Sequence, residues 1–191
     1  GHKSLLGPTG IGGLYVQEGV EIKHTRAGGT GVRSAVRTHL EEYPYRLEYG
    51  TLNVLGVAGL NAGLKWLEKK GMARIHDQEM ELAAMLRDGL KNIERIVTYC
   101  QDDLSNHISV LLFNIEGIDA QNVGTILDVD YNIACRTGLH CAPLVHEQLG
   151  TDKIHGAVRF GMGPFNTAEH IRTAIAAVEE IAKTQKPSKG N

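Results

Sequence analysis

The sequence predicts an α/β fold, and two observations carry that expectation. Amphipathic stripes at helical spacing alternate with short apolar runs of strand length, and glycine gathers in loops between them. The chain opens on the glycine-rich stretch GHKSLLGPTGIGG, and residues 12–16 read as a short strand behind it. Residues 17–50 are polar and lack periodicity, and an irregular stretch of that length is usually functional or interface-forming. A helix follows over residues 53–69, with Val57, Leu60, Leu64 and Leu67 recurring at helical spacing and Lys69-Lys70-Gly71 ending it.

A second domain is expected from residue 71. Residues 72–93 form a long amphipathic helix with Ile75, Leu82, Leu86, Leu90 and Ile93 on one stripe. Residues 108–115 are a continuous apolar run of strand length, Asp119 caps a helix carrying Val123, Ile126 and Leu127, and residues 131–134 and 156–160 read as short strands. Asn166-Thr167-Ala168-Glu169 has the form of an N-x-x-E cap, opening a helix with Ile171, Ala174, Ile175, Val178 and Ile181 on its apolar side. The expected organisation is thus 1–70, 71–183 and a disordered tail at 184–191.

Composition excludes several function classes. The 191 residues are 42% hydrophobic and 22% charged with net charge −2, so nucleic acid and anionic membranes are not expected partners. No apolar run approaches the ~20 residues that span a bilayer, and no signal-peptide layout opens the chain. Three cysteines suit a reducing cytosol better than a disulfide scaffold, so the expected location is cytoplasmic. The glycine loop completes neither a Walker motif nor a dinucleotide fingerprint.

Three residues are chemical candidates, each with a plain alternative. Lys3, beside His2 and ahead of a Gly-Pro-Thr-Gly loop, could serve as a Schiff-base lysine, although by spacing alone a lone lysine is usually a solvated surface charge. Cys141, in Arg136-Thr137-Gly138-Leu139-His140-Cys141-Ala142-Pro143, has an imidazole beside it, a guanidinium five residues before it and a helix expected from Leu144. Thiolate is the nucleophile and positive neighbours favour it, although most free cysteines are small buried hydrophobes. Cys100 and Cys135 read as structural. Arg159, in an apolar strand, suits a substrate carboxylate or a structural ion pair. Cys135, His140, Cys141 and His146 are all zinc-ligand types, but their spacing is not that of a zinc site, and no metal is expected.

Together, GHKSLLGPTGIGGLYV, YRLEYGTLN and RTGLHCAP…VRFGMGPFNTAEHI resemble, in order and from residue 1 to about 183, the class V aminotransferase superfamily. The likeness is to its cysteine desulfurase and selenocysteine lyase branch. The resemblance implies the C-terminal part of a fold type I enzyme: a remnant of the large cofactor-binding α/β domain followed by a small α+β domain. It implies pyridoxal phosphate held as a Schiff base by Lys3, with His2 near the phosphate. Gly50 and Thr51 correspond to the segment that reaches the neighbouring subunit's phosphate, which implies a homodimer. Arg159 would hold the substrate carboxylate, Cys141 would take sulfur from cysteine as a persulfide and release alanine, and His140 and Arg136 would support thiol and substrate. A sulfur-acceptor protein is a further implied partner. Selenocysteine lyase, another lyase of the superfamily and a non-catalytic interaction module are the alternatives. Leu139 stands where close relatives often carry histidine, and Pro143 follows the motif. Because the chain opens at the lysine motif, it reads as the later half of a longer protein. The partner of the pyridine nitrogen and the residue that stacks on the ring are not among its motifs. These 191 residues alone are therefore expected to hold the cofactor poorly and to be inactive.

Overall fold

The computed structural model describes residues 1–185. The chain divides into two compact units, Gly1–Gly71 and a second that begins at Met72.

The first unit contains one helix among its described residues, α1 (Val54–Lys70). Its start is set chemically: the Asn53 side chain accepts from the Gly56 N–H at 2.9 Å, satisfying one of the donors a helix N-terminus leaves open. At the other end the Gly71 N–H bonds to the Leu67 carbonyl. The strand expected at residues 12–16 does not form. Leu14 and Tyr15 are exposed and no neighbouring strand meets them, and an extended segment becomes a strand only when its backbone groups find a ladder partner. Residues 17–50 hold neither helix nor strand, in keeping with their missing periodicity.

The second unit runs α2 (Met72–Lys91), β1 (Ile96–Thr98), β2 (Val110–Ile115), α3 (Ala120–Tyr131), β3 (Arg136–Gly138), α4 (Pro143–Leu149), a single 3-10 turn (Asp152–Ile154), β4 (Ala157–Gly161) and α5 (Ala168–Thr184). The strands form one sheet in the order β1-β2-β4-β3, and every ladder is antiparallel. Such a sheet can keep one face for the core and leave the other for chemistry. Leu111, Phe113 and Ile115 of β2, with Val158 and Phe160 of β4, join Leu86 and Leu90 of α2, Val123 and Leu127 of α3, and Ile171, Val178 and Ile181 of α5 in one buried cluster. Side chains alternate along a strand, so residues of the other phase point away from that cluster. Leu112, Arg159 and Arg136 are paired in a row across β2, β4 and β3, all in this second phase.

Three local expectations shift. Residues 131–134 are not a strand: Tyr131 closes α3, and Asn132 caps it in the left-handed region at φ +56°. A short apolar run cannot be told from a helix end by periodicity alone, and the true strand β3 lies further on. The cap of α5 is Thr167, whose hydroxyl accepts from the His170 N–H, while Asn166 accepts from the Gly163 N–H one turn earlier. Thr184 is the last residue of α5 rather than the first of a tail, and 186–191 lie outside the described residues.

Gly156 sets how closely β3 and β4 meet. Its φ is +101°, and a Cβ there would overlap the backbone carbonyl of Gly138. Backbone cannot swing aside as a side chain can. Gly156→Ala is therefore expected to destabilise the protein by at least about 2 kcal/mol, read as a lower urea midpoint at unchanged slope.

Candidate active site

In the first unit, the loop that carries His2 and Lys3 lies on a bed of small residues along α1. A Cβ at Gly63 would stand 2.6 Å from the Leu5 carbonyl oxygen, and one at Gly59 would stand 2.8 Å from Pro8. Between them Leu60 packs against Gly1 and Gly7. Two backbone bonds close the turn: Leu6 N–H to the Lys3 carbonyl at 2.9 Å, and Gly7 N–H to the Gly1 carbonyl at 2.8 Å. Asn53, already the helix cap, also donates from its amide to the Gly10 carbonyl at 3.2 Å. The loop backbone is thus tied down while the Lys3 and His2 side chains stay exposed. Gly50 and Thr51 line a separate hollow of about 200 Å³ with Thr30, Gly31, Tyr45 and Glu48, and His2 and Lys3 do not line it.

The second unit gathers the cysteine motif around a tight turn. The Ala142 N–H bonds to the Leu139 carbonyl at 2.8 Å, and the two residues between, His140 and Cys141, have φ of +54° and +59°. Two successive left-handed residues make a primed turn, a geometry that glycine and asparagine fill easily. With a Cβ each left-handed residue costs roughly 1–2 kcal/mol. Strain of this kind persists only where surrounding structure enforces it, and it clusters at functional sites.

The enforcing contacts are visible. The His140 Nε2–H donates to the Arg136 carbonyl at 3.3 Å, and His140 Nδ1 meets His146 Nε2 at 3.1 Å. His146 Nδ1 in turn meets the Thr151 hydroxyl at 2.7 Å. Burial is the largest influence on His140 and pushes its pKa down, with Arg159, His146 and Arg136 adding to that against the bond to the Arg136 carbonyl. His140 is therefore a neutral imidazole at neutral pH.

Arg136 and Arg159 are direct cross-strand partners, so their side chains leave the same face of the sheet. No carboxylate among the described residues lies within 4.0 Å of either guanidinium. The acidic partner that a purely structural Arg159 would need is absent from this set. Two facing cations beside an exposed thiol can bind a carboxylate in forked geometry.

The other cysteines differ from Cys141, which is exposed. Burial pushes the Cys100 and Cys135 thiols up, away from thiolate. Of the four zinc-ligand types weighed in the sequence, the histidines are the pair in mutual contact, and among the described residues no group of three or more such side chains is placed to hold a metal. Thr151 carries no local sequence signal, and His146 drew notice only as a zinc-ligand type; their role depends on a loop closing over five residues.

The strain at the turn is measurable. Cys141→Gly is expected to stabilise the protein by about 1 kcal/mol relative to Cys141→Ala, because glycine reaches φ +59° without penalty. Equal urea midpoints for the two variants would show that the turn stores no strain at this residue.

Comparison with known proteins meets this geometry from outside. The family model for aminotransferase class-V matches residues 1–173. A probable cysteine desulfurase of Pyrococcus abyssi is 36% identical over 98% of this chain and 47% of its own length. A probable cysteine desulfurase of Methanothermobacter thermautotrophicus is 34% identical over 95% of this chain and 46% of its own. The chain thus spans about half the length of these curated relatives. Among solved structures, the apo cysteine desulfurase of Thermococcus onnurineus superposes with a TM-score of 0.72 at 36% identity, over 78% of this chain and 36% of that one. The α/β fold of a partial fold type I enzyme is the architecture these structures share with it. By the match over residues 1–173, the chain belongs to the aminotransferase class-V family.

Proposed function

We propose that this chain is part of a pyridoxal-phosphate-dependent cysteine desulfurase, in which Cys141 accepts sulfur from L-cysteine and L-alanine is released. One observation carries the reading: an exposed thiol on a strained left-handed turn, with two arginines that lack acidic partners on the strands beside it. The relatives named as cysteine desulfurases support the same assignment.

The residues of the first unit fit the cofactor by their chemistry. Lys3 offers an exposed primary amine on a tied-down turn to an aldehyde, and His2 beside it offers a ring donor to a phosphate. Gly50 and Thr51 would serve the phosphate of a second subunit, so the functional form is a homodimer. When bound, pyridoxal phosphate supplies an electron-withdrawing ring that weakens bonds at the substrate's carbons. Arg159, supported by Arg136, fixes the substrate carboxylate. The Cys141 thiolate attacks the substrate sulfur, forming a sulfur–sulfur bond as the bond from carbon to sulfur breaks. Its sulfur is oxidised to a persulfide, and the carbon fragment is reduced and takes up a proton to leave as alanine. Neutral His140, beside the nucleophile, keeps an uncharged ring next to the transferring sulfur. A sulfur-acceptor protein then reduces the persulfide, in a reaction suited to the cytoplasm. No helix among the described residues is long and apolar enough to cross a membrane. With Lys3, His2, Gly50 and Thr51 as the contacts proposed here, these 191 residues by themselves hold the cofactor weakly and turn over little cysteine.

In the protein that carries these residues, supplied with pyridoxal phosphate, Cys141→Ala is expected to abolish persulfide and alanine formation from L-cysteine while leaving covalent attachment at Lys3 intact, as seen by intact mass after borohydride reduction. Undiminished alanine release from that variant would remove Cys141 from the reaction. Arg159→Ala is expected to raise KM for L-cysteine about tenfold or more, the loss of a charge-assisted pair worth about 1.5–3 kcal/mol, and an unchanged KM would take Arg159 out of substrate binding.

A further inference from the structure

Among the described residues the buried polar side chains are Asn114, His146 and Thr151, the last two fully so. They lie along one hydrogen-bonded path. The Asn114 amide donates to the Gly156 carbonyl at 3.0 Å, the Gly156 N–H donates to the Thr151 carbonyl at 2.8 Å, and the Thr151 hydroxyl meets His146, which meets His140. The path ends on the Arg136 carbonyl.

The chemistry of the partners orders the protons. A carbonyl only accepts, so His140 carries its proton on Nε2 and presents a bare Nδ1. That lone pair requires a donor, so His146 carries its proton on Nε2 as well. His146 Nδ1 is then an acceptor, and the one group facing it is the Thr151 hydroxyl at 2.7 Å. The competing acceptor for that hydroxyl, the His146 carbonyl, is further off at 3.4 Å. For two neutral rings a single arrangement satisfies every contact: Thr151 to His146 to His140 to Arg136.

We propose that His146 and Thr151 are positioning residues that hold the His140 ring, in the tautomer the Arg136 carbonyl dictates, and with it the His140–Cys141 turn. Neither touches the reacting sulfur in this scheme; both act through His140. Their importance for catalysis rests on the desulfurase reading, but the proton order itself does not. The charged and titratable groups around His140 are Arg159, His146 and Arg136, with Cys141 adjacent in the chain. Both arginines oppose a cation on the ring. Thr151 is what makes the neutral arrangement complete. With valine in its place, His146 Nδ1 faces no donor: keeping the proton on Nε2 leaves a buried bare nitrogen, and moving it to Nδ1 gives up the bond to His140, so the hold on the His140 ring weakens either way. His140 Nε2 still serves the carbonyl, and its Nδ1, less firmly paired, is freer to take a proton.

The test is ring-nitrogen NMR of the full chain labelled with nitrogen-15 histidine, with the two signals identified by their loss in His140→Gln and His146→Gln. In the wild type both rings are expected to show the Nε2–H tautomer at neutral pH. Thr151→Val is expected to take the His146 ring out of the single Nε2–H pattern and to raise the His140 titration midpoint by about one pH unit, a tenfold gain in proton affinity, whereas Thr151→Ser keeps the wild-type pattern. If Thr151→Val does not fold, Thr151→Ala, which also lacks a donor, is read in the same way. A wild-type Nδ1–H tautomer on either ring overturns the proposal, and so does a His140 titration indifferent to loss of the hydroxyl. Because none of these readings needs cofactor or turnover, their failure is distinct from a failure of the Cys141 assignment.

Discussion

The candidate site depends on keeping a strained turn in place, and buried hydrogen bonds supply the constraint. Two left-handed residues with side chains would relax if nothing held them. The ring of His140 is held at both nitrogens, by the carbonyl of Arg136, the first residue of β3, and by His146 within α4. His146 is 1% exposed, so releasing its bonds would leave a buried polar ring unsatisfied, at a cost of about 1–3 kcal/mol. That is comparable to the strain of one turn residue. The turn and the path behind it therefore stand or fall together.

The same strands explain the electrostatics. Directly opposed like charges destabilise an antiparallel pair, yet Arg136 and Arg159 face each other across β3 and β4. On the phase that faces the helices such a pair would be untenable, because that face is packed with Val158, Phe160 and Phe113. Placed on the other phase, the two cations meet solvent or a ligand. Burial is the main brake on a charge at His140 and the proximity of the two arginines adds to it, so the proposed carboxylate site and a neutral imidazole share one strand register.

Much of this was legible in the sequence where the signal is local. The helices α1, α2, α3 and α5 follow from apolar spacing, and the cap at Asp119 was readable because a capping residue acts within three positions, whereas Asn53, read as the first helical residue, is the cap of α1. Cys141, His140 and Arg136 stood out as a motif, and the structure places His140 and Cys141 on one turn, with the His140 ring on the carbonyl of Arg136 in β3. The strand misread at residues 131–134 and the unformed one at 12–16 failed for the same reason: strandedness is decided by a partner elsewhere in the chain. Thr151 was invisible for a related reason. Its hydroxyl acquires meaning only once α4 and the following turn fold it back onto His146.

Lys3 and Cys141 are presented in opposite ways, and the difference follows from their backbones. The Lys3 loop gains its position by close approach, with glycines on α1 giving up side chains so that the Leu5 and Leu6 carbonyls can rest on the helix. Its side chain stays exposed and is free to adapt to whatever binds it. The Cys141 turn gains its position by strain, with bulky residues where glycine would be comfortable. In the roles proposed for them, the difference makes sense: a group that is attached to a cofactor tolerates adjustable reach, because the covalent bond sets its final place. A nucleophile that must meet one sulfur atom along one line of attack has no such bond to correct it, so its aim has to be built into the fold.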